Sequence, residues 1–329
     1  MTSPQAPTQS RAVSVIVPTY SRKALLLRAI ASITAQSYRP IEIVIVDDCS
    51  PCPVQASWFP TLPSGISLDI IRQDSSTGPA RARNRGIEEC TGVWVAFLDD
   101  DDCWEPEKLT LQIEALARSP KTNVKAAGCH IILVNGNDRE TRRTAFPLEK
   151  QQIIAGMVYK DENLNPSTLL VDRNVFSVVG SFDEELPTAE DRQWLLRYLI
   201  KFDIVIVDEY LTRYTEHTGP RLTTNFEAML HGELRFATFI EQSTKALNVQ
   251  HSKAMGYRYA KLGNEYMLAG RWRDGISFFV RAIANCTFEY RAWAGLAIAM
   301  LGPKFYRRAL SFRMNRIRLT TGMDSGKVC

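Results

Sequence analysis

Two things are scarce in this chain of 329 residues: long apolar runs and an excess of charge of either sign. No stretch reaches the roughly 18 apolar residues of a membrane-spanning helix, and the best candidate, 292–301, is too short. Lys and Arg number 40 against 36 Asp and Glu, a net charge of +4. A general nucleic-acid binder is usually more basic, so local clusters matter more than the total. Cysteine is sparse and odd in number, seven in all, which does not read as a disulfide framework and fits a reducing compartment. With 18 glycines and 16 prolines the chain is neither collagenous nor low in complexity. Residues 1–10 are polar with two prolines and no apolar signal-peptide core, so a disordered tail and a cytoplasmic location are expected. Apolar residues at 45% and charged residues at 23% are those of an ordinary globular protein, long enough for two domains or for one large domain with an extension.

Strands and helices are predicted to alternate from residue 13 to about 118. Val13 to Val17 and Ile41 to Val46 are β-branched runs that read as buried strands. Between them Ser21 is expected to cap a helix with the apolar face Leu26, Ala29, Ile30 and Ile33. Leu68 to Ile71 reads as a third strand, Ala80 to Cys90 as a basic helix, and Val93 to Leu98 as a fourth strand. Pro106 opens another helix, with Leu109, Ile113 and Leu116 inward. This is the pattern of βαβ units and a mostly parallel sheet, an α/β fold. The middle region is mixed, with short strands at Ile131–Val134, Thr168–Val171 and Ile204–Val207 and a helix at Arg192–Ile200. Beyond Thr223 the pattern is helical. Tyr257–Ala269 and Trp272–Ala284 form a hairpin at Gly270, a single unit rather than a repeat array.

The strongest chemical signal is Asp99-Asp100-Asp101-Asp102 at the end of the fourth strand. Four successive carboxylates repel one another. A hard divalent cation, Mg²⁺ or Mn²⁺, removes the conflict; a solvated acidic loop is the plainer reading. Asp47-Asp48, at the end of the second strand, can accept hydrogen bonds from a base or ribose, or simply build a turn. Gly78 to Gly86 carries three arginines that can neutralise a diphosphate or form a solvated basic face. In open α/β sheets ligands bind beyond the carboxyl ends of the strands, where both acidic turns fall.

Taken in order, these pieces resemble the family 2 glycosyltransferases. The resemblance rests on Val13-Ser-Val-Ile-Val-Pro-Thr-Tyr20, Ile45-Val-Asp-Asp-Cys-Ser50, Ala82-Arg-Asn-Arg-Gly-Ile87, and Phe97-Leu-Asp-Asp-Asp-Asp102 with Trp104 and Pro106. Gly180-Ser-Phe-Asp-Glu184 and Glu190-Asp191 complete it. It implies a GT-A, Rossmann-like catalytic domain over 11–222, followed by a helical extension at 223–300 and a basic amphipathic tail at 301–329. It implies that Pro18, Thr19 and Tyr20 meet the nucleotide base, that Asp48 bonds the base with Asp47 beside it, and that Arg83 lies near the nucleotide. Asp99, Asp100 and Asp101 cover the element that binds ribose and metal, with Asp101 favoured as the ligand of Mn²⁺ or Mg²⁺. Asp191 matches the general base, and Glu190 beside it is expected to raise its proton affinity by like-charge repulsion. His217 falls where related enzymes place a histidine near the metal or diphosphate; a surface-loop histidine is the alternative.

The implied reaction moves a sugar from a nucleoside diphosphate sugar, UDP by preference, to the hydroxyl of a saccharide or lipid-linked acceptor, with inversion, in bacterial surface polysaccharide synthesis. Processive relatives carry Gln-x-x-Arg-Trp after the base and membrane helices; here Trp194 follows Gln193 at once, which implies single additions. A non-catalytic nucleotide-sugar-binding scaffold of the same fold is the alternative. A nucleotidyltransferase would need a glycine-rich loop where Pro18-Thr-Tyr-Ser-Arg22 stands. Cys49 and Cys52 have CxxC spacing but lack the second pair of a zinc site. In 303–318 the bases Lys304, Arg307, Arg308, Arg313, Arg316 and Arg318 interleave with Tyr306, Leu310, Phe312 and Ile317, without an acid. That pattern suits peripheral contact with anionic lipid at the inner membrane face, and no nucleic-acid motif accompanies it.

Overall fold

The computed structural model describes residues 12–216, 226–302 and 305–306. The expected N-terminal tail, His217, the boundary at 222 and the basic residues of the C-terminal tail lie outside the described residues.

Among the described residues one nine-stranded sheet organises the fold. The first half is β1 (Val13–Thr19), α1 (Lys23–Thr34), β2 (Ile41–Asp47), β3 (Ile66–Arg72), α2 (Pro79–Glu89) and β4 (Trp94–Phe97). Its pairings β1–β2, β1–β4 and β2–β3 are all parallel. The second half is β5 (Cys103–Trp104), α3 (Lys108–Arg118), β6 (Val124–Asn135), β7 (Glu140–Thr144), α4 (Lys150–Tyr159), β8 (Leu170–Asp172), α5 (Val175–Val179), α6 (Glu190–Lys201) and β9 (Asp203–Glu216). Here the sheet becomes mixed, as the sequence of this region suggests. β8 inserts antiparallel between β4 and β6, and β5 and β7 pair antiparallel at the margin. Among the described residues only β6–β9 is parallel in this half, and the strand order across the sheet is β3-β2-β1-β4-β8-β6-β9-β5, with β7 paired to β6.

The central strands β1, β2 and β4 are buried on both faces, and their side chains alternate between two cores as a period of two demands. Val13, Val15 and Val17 join Ile41, Ile43, Ile45, Trp94 and Ala96 beneath α1, where Leu26, Ala29, Ile30 and Ile33 pack. Ile16, Val44, Val46, Val95 and Phe97 face the other way. Ser21 does not cap α1. It takes φ 56°, its N–H donates to Ser50 Oγ at 2.9 Å, and Arg22 holds the cap position without a side-chain bond to the helix end. On the second face α2 lies so close to β1 that a Cβ at Gly86 would come 2.4 Å from Ile16 Cγ2, which is why a glycine stands there.

The second core continues without a break into α7 (Phe226–Ser243), α8 (His251–Leu268), α9 (Trp272–Asn285) and α10 (Tyr290–Met300). Leu230, Phe236, Tyr259, Phe279 and Tyr306 belong to the same buried cluster as Phe97 and Trp194. A ladder of rings runs from β4 into α6: Phe97–Phe182 at 5.4 Å, Phe182–Trp194 at 5.3 Å, Trp194–Tyr198 at 5.8 Å. Such pairs add about 0.5–1.5 kcal/mol each beyond the area they bury. The helical extension is thus packed on the sheet domain through a shared core. Among the described residues no helix is long and apolar enough to cross a membrane.

Candidate active site

Parallel pairing aligns the carboxyl ends of β1, β2 and β4 on one edge, with Thr19 opposite Asp47 and Leu98 bonded back to Ile16. Asp47 is fully buried and spends its carboxylate on the local loop. It accepts from the N–H groups of Ser50 and Val54 at 2.8 and 3.1 Å and from Arg72 at 2.8 Å. Burial pushes its carboxyl up, and these donors more than reverse that, leaving it below the ordinary range. Asp48 is engaged in the same way by residues 73–78. Gln73 Nε2 donates at 2.6 Å, Ser76 Oγ at 2.9 Å, and the N–H groups of Thr77 and Gly78 at 2.9 and 3.0 Å. Both carboxylates therefore shape the loops around the edge. Tyr20 is half-exposed at the end of β1, and a cleft of about 270 Å³ opens between Thr19, Arg22, Ser50, Val54 and Trp58.

The acidic run sorts into two alternating pairs. The side chains of Asp99 and Asp101 keep 29% and 20% of their surface open, whereas that of Asp100 keeps 6%. Asp102 is fully buried. Asp102 accepts from Ser167 Oγ at 2.7 Å and from the Thr215 N–H at 3.0 Å, which ties the turn to β9. Burial, then the charges of Asp101 and Asp99, push its carboxyl well above the usual range. Asp100 accepts from Thr19 Oγ1 at 2.7 Å; burial pushes it up to about 6 against the pull of Thr19 and Arg22. Arg22 bridges Asp100 and Asp101 at 3.1 and 2.9 Å. The sequence reading gave Arg22 no role; its only signal was its place three residues past β1.

Of the three arginines expected to face a diphosphate, the structure brings one to the edge. Arg85 pairs with Glu88 and Glu89 on the exposed face of α2, and Arg81 stands over Glu184 at 3.9 Å, also exposed. Arg83 is buried and joins the two ends of the site, donating to Asp99 at 2.7 Å and to Glu190 at 2.9 Å. Its neighbour Asn84 bolts α2 to the segment before α6. The Asn84 amide donates to Phe182 O at 2.9 Å and Glu184 Oε1 at 2.8 Å, and Asn84 Oδ1 accepts from the Phe182 N–H at 2.9 Å. That explains the Gly180–Glu184 piece: it holds α6, which begins at Glu190, against the carboxyl edge of the sheet.

Asp191, in the first turn of α6, is half-buried. Its Oδ1 accepts from the Arg192 N–H at 2.7 Å and its Oδ2 from Asn163 Nδ2 at 2.8 Å. Glu190 was expected to act on Asp191 by repulsion. The displacement falls on Glu190: burial, then the charge of Asp191, pushes it from 4.5 up to about 7 despite Arg83, because Glu190 is the buried member of the pair. The native state therefore holds this proton more tightly than the unfolded chain. The stability it contributes is present below about pH 4.5 and is lost as pH rises through about 7. Glu190→Gln, which keeps an acceptor for Arg83 but cannot titrate, is expected to shrink the loss of denaturant midpoint between about pH 5 and about pH 8. An unchanged slope would contradict it.

Cys49 and Cys52 are free, and Cys49 Sγ approaches only Asp74 O at 3.5 Å and Arg72 Nη2 at 3.8 Å. Among the described residues no three His, Cys, Asp or Glu side chains gather around a common point. A cation here would rely on one or two carboxylates and on donor oxygens, which is how Mg²⁺ is usually held.

Comparison with known proteins bears on the family and the fold. Residues 14–176 match the family described as glycosyl transferase family 2. The amylovoran biosynthesis glycosyltransferase AmsB of Erwinia amylovora is 31% identical over 279 residues, 82% of this chain and 89% of its own length. The chain belongs to glycosyl transferase family 2. Its fold is that of solved GT-A glycosyltransferases. The S. aureus TarS fragment crystallised with UDP-GlcNAc aligns with a TM-score of 0.61 at 19% identity, covering 92% of each chain. A Pyrobaculum calidifontis mannosyltransferase, solved with GDP-Man and Mn²⁺, aligns at 0.55 with 18% identity, covering 96% of this chain and 88% of its own. The family 2 match ends at Val175–Phe176, before Glu190-Asp191, so those two rest on geometry and on their place in the chain.

Proposed function

We propose that this glycosyltransferase uses a divalent cation to transfer one sugar, with inversion, from a nucleoside diphosphate sugar to an acceptor hydroxyl in bacterial surface polysaccharide assembly. The observation that carries it is Arg83, which fastens the open carboxylate edge at Asp99 to the first turn of α6 at Glu190. Donor edge and candidate base thereby share one buried link. Pro18, Thr19 and Tyr20 are assigned to the base pocket, with Asp47 and Asp48 holding its walls. Asp99 and Asp101, the open alternate pair, suit a hard cation by their oxygen donors; Asp101 is assigned as the protein ligand and Asp99 as a shared ribose or metal contact. When bound, the ion would stabilise negative charge on the departing diphosphate.

Asp191 then accepts the acceptor's proton as the hydroxyl oxygen bonds to the anomeric carbon. The bond from that carbon to the diphosphate oxygen breaks, and the single displacement inverts the centre. A UDP donor is preferred on the sequence, and the complex of TarS with UDP-GlcNAc supports a uridine site for this fold. Peripheral contact of 303–318 with anionic lipid completes the reading, checked by vesicle co-sedimentation of a chain ending at residue 302.

The test is calorimetry of UDP, dTDP, GDP and CMP, each with and without Mn²⁺. Binding of one diphosphate that needs the metal supports the donor site and names the base. If none binds in either condition, the acidic edge is not a donor site and the scaffold alternative replaces this reading.

A further inference from the structure

α8 belongs to the helical extension, yet one of its arginines is among the most buried side chains of the described residues. Arg258, 1% exposed, sends its fork into the end of α4. Its Nε and Nη2 donate to Val158 O at 3.0 and 2.8 Å, and Nη2 also donates to Met157 O. These are carbonyls in the last turn of α4, which a helix end leaves without partners. The remaining nitrogen, Nη1, pairs with Asp161 at 2.6 Å.

Asp161 is the centre of a cluster. Tyr257 donates to it at 2.9 Å, Lys261 stands at 3.1 Å and Arg192 at 3.4 Å. It sits at φ 57°, a left-handed conformation costly for a residue with a Cβ, held here by four side chains. Two residues on, Asn163 donates to Asp191 Oδ2. A second strap reaches the same point through Glu233 of α7, which pairs with Arg192 and lies 3.0 Å from Lys261. Arg192, next to Asp191, also lies over the Phe236 ring at 4.6 Å.

We infer that Arg258 and Asn163 are positioning residues for Asp191, so that the helical extension sets the orientation of the base. The inference rests on the reading of Asp191 as the base. Arg258 fixes the end of α4 and Asp161; that fixes the 161–163 loop; Asn163 and the Arg192 N–H then each hold one oxygen of the Asp191 carboxylate. The carboxylate cannot rotate freely, and each of its oxygens keeps one lone pair for an incoming hydroxyl. General-base geometry is sensitive to small displacements, so the effect falls on turnover rather than on donor capture.

The experiment compares the full-length chain with Asn163→Ala and Arg258→Gln, each alone and combined with Asp191→Asn. Asn163→Ala is expected to lower kcat by about 10- to 100-fold and Arg258→Gln by about 10-fold, with the calorimetric donor Kd unchanged. On the Asp191→Asn background neither adds more than about twofold, because both act through the same carboxylate. Should Arg258→Gln not fold, Arg258→Lys, which keeps charge toward Asp161 but gives up the fork to α4, reads the same comparison. Losses that multiply with Asp191→Asn, a donor Kd that worsens in step with kcat, or an unchanged kcat would each overturn the positioning role. An Asp191→Asn enzyme that turns over normally overturns the base reading itself, and this inference with it.

Discussion

Asp191→Asn is expected to lower kcat by about 10²- to 10⁴-fold while leaving donor affinity and melting temperature close to the parent. The amide keeps the shape of the carboxylate and one acceptor oxygen, for either Asn163 Nδ2 or the Arg192 N–H. It cannot take a proton. Asp191 is half-buried in the first turn of α6, so no buried charge is stranded by the change. The buried partner of Arg83 on that turn is Glu190, which remains. The decisive measurement pairs single-turnover transfer with calorimetric donor binding. A variant that binds donor normally and transfers normally would place the base elsewhere.

The second large effect separates two neighbours in the acidic run. Asp101→Asn is expected to weaken Mn²⁺-dependent donor binding by about 10- to 100-fold or more, since altering even the groups behind a metal ligand costs that much. Its fold should hold, because Asp101 lies at the open side of the turn. Asp102→Ala should do the reverse. It strips Ser167 Oγ and the Thr215 N–H of a buried acceptor, at about 1–3 kcal/mol for each group left unpaired, and lowers the melting temperature. Asp102→Asn should be tolerated, because burial already favours the neutral form at that position. Metal-dependent binding that survives Asp101→Asn but disappears in Asp102→Asn would move the ligand by one residue.

Much of the parallel half was legible in advance. β1, β2 and β4 are short β-branched or aromatic runs ending at polar or acidic turns, β1 continuing through Pro18 to Thr19, and α1 buries the four residues its spacing nominates. The second half was less legible. β5 has two residues and β8 three, too few to show a period, and their pairing depends on partners far along the chain. β7 is exposed and charged, Glu-Thr-Arg-Arg-Thr, and takes its strand form from β6 rather than from its own composition. Ser21 looked like a helix cap because serine often is one; the claim of Ser50 Oγ on its N–H was invisible locally.

The sequence alone determined which edge of the sheet gathers the acidic turns. Strand direction and apolar periodicity are local, so the acidic turns had to fall at carboxyl ends. It also determined, through the order of the family's motifs, the kind of chemistry to look for. Only the tertiary structure decided what each carboxylate does. Asp99 and Asp101 stay open while Asp100 and Asp102 are enclosed, because the groups that enclose them lie 81 residues away at Thr19, 65 at Ser167 and 113 at Thr215. Arg83 meets Glu190 across 107 residues, and Asp161 meets Arg258 across 97. Burial and hydrogen-bond partners set whether a carboxylate is a wall, a counter-charge or an open ligand, and both are properties of packing between distant segments.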